Sequence, residues 1–150
     1  MRVLIQRVTK ARLIINNEIE SEIDKGLLVL LAIEESDKKE DILWLSKKIV
    51  LLRIFDDNNG VMNKNILESH GQIMIVSQFT LLASTKKGNR PFYSKAAKYE
   101  IAFKIYENFI IQIEKDFGES VKTGIFGAYM QIELINDGPT TIFIDTKNRE

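Results

Sequence analysis

The order of hydrophobic and polar positions in the first third of the chain is typical of β-strands. Asn16-Asn17 is a turn sequence between two strand-like segments, and Gly26 interrupts the chain before the run LLVLLAI. That run is continuously apolar, as in a strand that is covered on both faces. The pattern therefore predicts three strands and then a buried one before any helix. They lie at 3–8, 11–15, 18–23 and 27–33.

Two later segments have the periodicity of amphipathic helices. The first begins near Asp37, where Asp37 and Glu40 form a capping pattern, and the second runs from about Lys95 to Phe117. Each places apolar residues on one stripe. The stripe of the first helix is Ile42, Leu45, Ile49 and Leu52, and that of the second is Ile101, Ile105, Phe109 and Ile113.

Strand patterns also occur between the helices and after them. A buried strand is predicted at Gln72–Val76. Two further strands, with no prediction about their burial, are expected at Tyr129–Ile135 and Ile142–Asp145, and they are separated by NDGPTT at 136–141. Asp137-Gly138 is a hairpin-turn sequence, whereas proline, which has no N–H for a strand ladder, belongs at an edge, a bulge or a special turn. We expect one α+β domain, residues 1–150, with a mixed sheet.

Composition narrows the class of protein. The 21 basic and 21 acidic residues cancel, so a nucleic-acid partner cannot be inferred from bulk charge. The absence of cysteine removes disulfides, thiol nucleophiles and the common zinc sites, and it fits a reducing cytoplasm. No apolar run is long enough for a signal peptide or a membrane span. We expect a cytoplasmic protein that has no membrane segment.

Few side chains are candidates for acid–base or metal chemistry. His70 is the only histidine, and its SHG context indicates a turn. The pairs Glu34-Glu35 and Asp56-Asp57 lie in loops, where carboxylates are usually solvated. The Gly124-x-x-Gly127 sequence lacks the lysine and the strand-to-helix context of a phosphate loop. An enzyme with this sequence is expected to work without a metal or a cofactor.

Two polar segments remain as candidates for a site. Ser77, Gln78 and Thr80 follow a buried strand, a frequent position for functional residues, although a hydrogen-bonded strand end explains them equally well. The basic loop at 84–91 is suited to phosphates, although a charge run is usually a solvated face. Its candidate residues for contacts with an RNA backbone are Lys86, Lys87 and Arg90.

Taken together, SQFTL at 77–81 and NDGPTT at 136–141 resemble the two motifs of the D-aminoacyl-tRNA deacylase family. The resemblance continues in order through nearly the whole chain. Its other segments are QRVT at 6–9, GLLVLL at 26–31, RIF at 53–55, RP at 90–91, SK at 94–95 and TG-x-FGA-x-M at 123–130. Thr140 stands where the family usually has valine, and its hydroxyl is expected to alter the pocket wall slightly. Ile125 and Tyr129 also depart from the usual pattern, outside both motifs, and bear on tRNA preference.

The resemblance implies a strongly curved, barrel-like mixed sheet with two main helices. It also implies hydrolysis of the ester in D-aminoacyl-tRNA, and in mischarged glycyl-tRNA, with L-aminoacyl-tRNA rejected. The tRNA 2′-OH and water would supply much of the chemistry through positioning, and backbone N–H groups would polarise the ester carbonyl. The rival mechanism uses Thr80 as a nucleophile and needs an activating base. The catalytic residues implied are Ser77, Gln78, Phe79 and Thr80.

In this family, the Gly-Pro bond is cis, and the loop that carries it enters the active site of the partner subunit in a homodimer. The resemblance therefore implies that Arg7 braces this loop and that the 3′ end of aminoacyl-tRNA is the ligand. The residues implied in substrate binding and chiral selection are Gly138, Pro139, Phe126, Met130 and Thr141. Two alternatives stay open, a non-catalytic RNA-end-binding module and a structural homodimer whose Gly-Pro loop only fastens the subunits.

Overall fold

The structure is a computed structural model that describes residues 1–149. Within that range the chain forms eight strands, two α-helices and one short 3₁₀ helix. The strands are β1 (Arg2–Ile15), β2 (Glu18–Ile23), β3 (Gly26–Ala32), β4 (Phe55–Asp56), β5 (Met62–Lys64), β6 (Gln72–Ser77), β7 (Lys122–Thr123) and β8 (Gln131–Asp145). The helices are α1 (Lys39–Leu51), the 3₁₀ helix (Phe79–Leu82) and α2 (Tyr99–Phe117).

Strand β1 organises the main sheet. One edge of β1 pairs antiparallel with β2 and β3, and the other edge pairs antiparallel with β8. Beyond β3 the sheet continues with parallel pairs to β6 and then to β7. The Ser21 hydroxyl on β2 donates a hydrogen bond to the Thr123 carbonyl on β7 at 3.0 Å, which joins the two ends of this path. The expected mixed, barrel-like sheet with two main helices is confirmed.

Each face of the sheet has its own hydrophobic core. Along β3, Val29 belongs to the core between the sheet and the helices, whereas Leu28 belongs to a second core. This alternation is the ordinary consequence of the two-residue period of a strand, and it confirms that β3 is covered on both faces. The second core consists of Val8, Ala11, Leu13, Ile23, Leu28, Met74 and Val76.

The start of α1 differs from the predicted cap. The N-cap residue is Lys38, and the Asp41 carboxylate accepts a hydrogen bond from the Lys38 N–H at 2.9 Å. Asp37 has another role, because its buried carboxylate accepts hydrogen bonds from the Met1 amine and from the Glu34 N–H. The predicted cap at Asp37 and Glu40 is therefore wrong by one residue, because the Asp37 carboxylate binds the amine of Met1 instead.

Helix α2 begins at Tyr99 and not near Lys95. The preceding residues are held in extended pairing, because the Ala97 N–H donates to the Ile33 carbonyl at 3.0 Å and Ala96 forms a bridge with Glu34. Phe109 and Ile113 are buried as predicted, but Ile101 is exposed. The buried stripe of α2 is Ala102, Tyr106, Phe109, Ile113 and Phe117.

The segment NDGPTT does not form a hairpin turn. Both flanking segments belong to β8 and pair with the same strand β1, Val8 opposite Asn136 and Gln6 opposite Thr141. The four residues 137–140 thus lie opposite the single residue Arg7 and form a wide bulge. The two strands predicted at 3–8 and 11–15 are likewise one strand, with register shifts on either side of Val8. We call residues 137–140 the Gly-Pro bulge.

Candidate active site

A pocket of about 630 Å³ opens where β3 and β6 end and α2 begins. Its lining contains no carboxylate, imidazole, amine or guanidinium group among the described residues. The polar side chains that line it are Ser77, Gln78, Thr80, Tyr99 and Tyr129, and the remaining residues of the lining are Leu31, Ile33, Val76, Phe79, Ala96, Ala97, Ala102, Phe126, Gly127, Ala128, Met130 and Ile132. The volume is in the range of pockets that enclose small molecules.

The four residues of the SQFT motif lie together at the pocket. Strand β6 ends at Ser77, and the Gln78 N–H donates to the Leu31 carbonyl of β3 at 2.7 Å. The chain then turns into the 3₁₀ helix, which leaves Ser77 and Gln78 half-buried and Phe79 and Thr80 exposed. N–H groups at the start of a helix have no partner within it. Those of Phe79 and Thr80 are therefore potential donors to a ligand.

Phe126 and Met130 also lie at the pocket. The Phe126 ring packs on the rings of Tyr99, Phe103 and Tyr106 at centroid distances of 5.3, 5.5 and 5.2 Å. Met130 packs on the second core. These contacts hold both ends of residues 126–130, which form one wall of the pocket. Tyr129 projects from this wall with 85% of its surface exposed.

Gly127 is required where this wall meets α2. Its φ is +77°, and a Cβ at this position would lie 2.8 Å from the Tyr99 ring. Below the wall, the Tyr106 hydroxyl donates to the Ile75 carbonyl at 3.0 Å. Burial raises the pKa of Tyr106, so its phenol stays protonated at neutral pH and does not act as a base.

The Gly-Pro bulge lies outside the pocket of its own chain. Gly138 and Pro139 are exposed, their peptide bond is cis, and neither they nor Thr141 line the pocket. Thr140, a departure from the family pattern, is half-buried in the bulge and is likewise absent from the pocket wall. The residues expected to bind substrate therefore form two groups in one chain, one at the pocket and one on the bulge.

Arg7 connects the bulge to the chain that precedes β4. This arginine is 6% exposed, and its Nη1 donates to the Ile54 carbonyl at 2.6 Å. Its Nε donates to the Asp137 carbonyl at 3.3 Å and pairs with an oxygen of the Asp137 carboxylate at 3.0 Å. The Asp56 carboxylate lies 3.4 Å from Nη1. Arg7 thus contacts the bulge directly, at the first of its four residues.

The other polar candidates lie away from the pocket. His70 occupies a turn before β6, with a φ of +52°. Asp57 organises its own loop, since hydrogen bonds from the N–H groups of Asn59 and Val61 lower the pKa of its carboxylate. Across residues 1–149 no group of three or more His, Asp or Glu side chains is arranged to hold a metal ion.

The basic loop is exposed and does not line the pocket. Lys86, Lys87 and Arg90 all lie at the surface, between Ser84 and Phe92, which pair through two backbone hydrogen bonds of 2.7 and 3.0 Å. In the part of the chain that the structure describes, no helix has the length and apolar character needed to cross a bilayer.

The sequence alone did not indicate the part of the pocket that α2 and the residues before it provide. Ala96, Ala97, Tyr99 and Ala102 line it. The only available signal was the small pair Ala96-Ala97 within a charged segment, SKAAKYE. Alanines and one tyrosine have no chemistry that distinguishes them from ordinary helix residues.

Comparison with known proteins gives one consistent family. Residues 4–145 match the family described as D-Tyr-tRNA(Tyr) deacylase. D-aminoacyl-tRNA deacylases of Bacteroides fragilis (strain YCH46) and Flavobacterium psychrophilum are 61% and 57% identical to this chain, over all 150 residues of it and the full length of each relative.

Two solved structures are also similar. A c-Myc DNA unwinding element binding protein is 38% identical, with a TM-score of 0.92 over 97% of this chain and 98% of that chain. A probable eukaryotic D-amino acid tRNA deacylase is 17% identical, with a TM-score of 0.82 over 95% and 97% of the two chains. The second similarity concerns the fold alone.

Proposed function

Because the chain belongs to the D-Tyr-tRNA(Tyr) deacylase family, we propose that its pocket receives the 3′ end of an aminoacyl-tRNA and admits D-aminoacyl but not L-aminoacyl esters. The chain is a D-aminoacyl-tRNA deacylase, and therefore a hydrolase. Its substrate is formed and used in translation, and we place its action in the cytoplasm.

The uncharged lining of the pocket is the observation that carries the proposed mechanism. No side chain there takes a proton readily at neutral pH, so the rate must come from the placement of groups that the substrate brings. The terminal ribose offers its 2′-OH next to the ester. The pocket holds this hydroxyl and a water against the carbonyl, and the N–H groups of Phe79 and Thr80 stabilise the oxyanion that develops.

The same observation argues against Thr80 as the nucleophile. A threonine hydroxyl needs a base within hydrogen-bond reach to take its proton. The neighbour of Thr80 Oγ1 is the side-chain amide of Gln78, which donates a hydrogen bond to it and cannot take a proton. Ser77, Gln78, Phe79 and Thr80 therefore act by positioning the ester, with Gln78 orienting Thr80.

We propose that chirality is read by the Gly-Pro bulge of the partner subunit in a homodimer. In its own chain the bulge is exposed and separate from the pocket, so it is available to a neighbour. Ile135 and Phe143, on either side of it in β8, are 61% and 53% exposed, which suits a surface that is covered in a dimer. A closed twofold dimer gives each pocket one bulge from the other subunit.

In this arrangement the backbone carbonyls of Gly138 and Pro139 bind the ammonium group of the substrate. Among residues 1–149, no carboxylate lines the pocket for that purpose. The bulge then occupies the space that an L side chain needs, whereas a D side chain points away from it. Glycine has no side chain, so mischarged glycyl-tRNA passes the same test and is a second substrate. Phe126 and Met130 contribute walls of the pocket, Thr141 completes them as it enters beside the neighbour's bulge, and Arg7 braces the bulge.

The RNA outside the pocket is bound by charge. Lys86, Lys87 and Arg90 are exposed on one loop, and we assign them to contacts with phosphates of the acceptor end. Because the net charge of the chain is zero, such a local cluster is what an RNA ligand requires. Their neutralisation should weaken binding of all tRNAs similarly, with a reduced dependence on salt.

The deciding experiment compares matched D-aminoacyl-, L-aminoacyl- and glycyl-tRNAs with the purified protein, with and without EDTA. We expect release of the D-amino acid and of glycine, an intact L-ester, and equal rates in both buffers. Stable D-aminoacyl-tRNA would contradict the proposed pocket chemistry. Loss of turnover in EDTA would contradict the metal-free mechanism and leave the substrate assignment standing.

A second candidate is a nucleic-acid-end-binding module without turnover. The observation that favours it is the 38% identity to a c-Myc DNA unwinding element binding protein, together with the exposed basic loop. The same assay separates the two, because a binding module would retain aminoacyl-tRNA in a filter-binding experiment and leave its ester intact. A structural homodimer whose Gly-Pro bulge only fastens the subunits would neither retain aminoacyl-tRNA nor hydrolyse its ester.

A further inference from the structure

The side-chain amide of Asn136 closes the base of the Gly-Pro bulge. Asn136 is the last β8 residue paired with β1 before the bulge, and Thr141 is the first one after it. Its Nδ2 donates to the Thr140 carbonyl at 3.0 Å, and its Oδ1 accepts from the Thr141 hydroxyl at 3.1 Å. One side chain therefore ties the two ends of the bulge together.

The same amide also anchors the bulge to β1. Nδ2 donates a second hydrogen bond, to the Arg7 carbonyl at 2.9 Å, and Oδ1 accepts a second one, from Gln6 Nε2 at 3.3 Å. An amide side chain has two N–H donors and an oxygen with two lone pairs. Asn136 uses all four, two toward β1 and two toward the far end of the bulge.

Hydrogen bonds at the base must define where the bulge lies, because packing does little. Gly138 and Pro139 are exposed, and neither belongs to a hydrophobic core. The hydrogen bond and the ion pair that the Arg7 side chain makes to the bulge both go to Asp137, its first residue. The contacts of Asn136 reach its last residue, Thr140, and the residue after it.

We propose that Asn136 is a positioning residue for chiral selection, which sets the direction of the Gly138 and Pro139 carbonyls although it does not touch the substrate. This inference rests on the proposed role of the bulge. The side chain of Arg7 holds the first of the four bulge residues, and that of Asn136 holds the last. Loss of either side chain leaves the bulge held at one end only, so that its other end can move. Displacement of a substrate-binding group by 1 Å is enough to cost about 100-fold in rate.

The test is Asn136→Asp, which preserves the shape of the side chain, removes its two N–H donors and adds a negative charge. An oxygen then faces the carbonyl oxygens of Arg7 and Thr140, and both contacts become repulsive. We expect kcat/KM for D-aminoacyl-tRNA to fall by about 10- to 100-fold. The D-over-L ratio should fall with it, while the affinity for uncharged tRNA and the oligomeric state stay at wild-type values. A merely structural role would leave the ratio unchanged.

Asn108→Asp is the matched control. Asn108 is exposed on α2 and does not line the pocket. Its replacement by aspartate therefore introduces the same negative charge away from the bulge. We expect wild-type activity and selectivity from it. An unchanged D-over-L ratio in folded Asn136→Asp overturns the inference.

A second variant keeps the inference falsifiable if Asn136→Asp fails to fold. Gln6→Met removes one of the four contacts of Asn136 and leaves the others, which should lower the D-over-L ratio by about fivefold, the equivalent of one ordinary hydrogen bond. A wild-type ratio in Gln6→Met would then overturn the inference. Wild-type protein in the same experiment must release D-amino acids, since its failure to do so refutes the proposed function and not the role of Asn136.

Discussion

Gln78 Nε2 donates a hydrogen bond to Thr80 Oγ1 over a distance of 2.5 Å, across a single intervening residue. The contact fixes the hydroxyl of the one threonine that lines the pocket among residues 1–149, and it supplies that hydroxyl with a donor. A nucleophilic hydroxyl needs the opposite partner, a base that accepts its proton.

We therefore predict that Thr80→Ala retains its rate to within about tenfold, the scale of one lost positioning hydrogen bond. Replacement of the substrate 2′-OH by hydrogen should be far more severe in the wild-type protein, because the mechanism relies on that group. Single-turnover hydrolysis of D-aminoacyl-tRNA measures both. A folded, tRNA-binding Thr80→Ala protein with no turnover would restore the nucleophile mechanism.

Gly138→Ala should displace the bulge. Gly138 has a φ of +117°, and a Cβ there would lie 2.6 Å from Thr140 Oγ1 and 3.1 Å from Arg7 Nη2. Because the bulge is at the surface, the protein should stay folded while kcat/KM for D-aminoacyl-tRNA falls by about 100-fold.

Gly60→Ala is the control for the backbone strain alone. Its φ is +74°, but a Cβ at that position would meet nothing within 4 Å. It should lose about 1–2 kcal/mol of stability, the cost of an L side chain in the left-handed region, and no activity. Equal kinetics for the two variants would contradict a role of the bulge in catalysis.

Arg7→Lys should damage both stability and activity, although it keeps the charge. The planar guanidinium reaches the Ile54 carbonyl and Asp137 at once, and a lysine ammonium cannot reproduce that fork. We expect a loss of about 1–3 kcal/mol in the free energy of unfolding, since a buried carbonyl is left without its donor. Arg12→Lys on the same strand, where the arginine pairs with Glu22 at the surface, should be close to neutral. Urea unfolding followed by circular dichroism measures the stability of both variants.

The stability of the fold should fall in acid over a defined range. Burial raises the pKa of Asp41, but hydrogen bonds from the Lys147 ammonium and the Lys38 N–H outweigh it, and the pKa falls from 3.8 to about 2. A depressed carboxyl pKa contributes stability that is present above the unfolded value and disappears as the pH falls through the folded one. Urea midpoints should therefore decrease between about pH 4 and pH 2, and Asp41→Asn should flatten this part of the profile. An identical slope in that variant would assign the acid sensitivity to other carboxyl groups.

Local pattern was sufficient for the buried strands and for the position of the SQFT motif, because a continuous apolar run specifies burial whatever its neighbours are. It was insufficient for NDGPTT. Asp137-Gly138 is compatible with a hairpin and with a bulge, and the choice depends on whether the flanking segments pair with each other or with a third strand. Here both pair with β1, which lies more than a hundred residues earlier in the chain.

The same limitation explains the errors at the helix starts and in the pocket. Asp37 is of a residue type common at helix N-caps, but its carboxylate accepts a hydrogen bond from the Met1 amine. This contact forms only in the complete fold. Tyr99 and Ala96 line the pocket because pairing of Ala96 and Ala97 with residues 33–34, directly after β3, delays the start of α2. Asn136 was part of a motif in the sequence, but its four partners come from two segments of the chain and were visible only in the structure.

The separation of pocket and bulge within one chain has a consequence for mixed assemblies. A subunit with a filled pocket, such as Ala96→Phe, still carries an intact bulge, and a Gly138→Ala subunit still carries an intact pocket. In the proposed twofold dimer, a heterodimer of the two would have one composite site with both intact halves and one with both damaged halves. Two proteins that are each inactive should therefore complement one another, and random pairing in a twofold dimer would restore about a quarter of the wild-type activity.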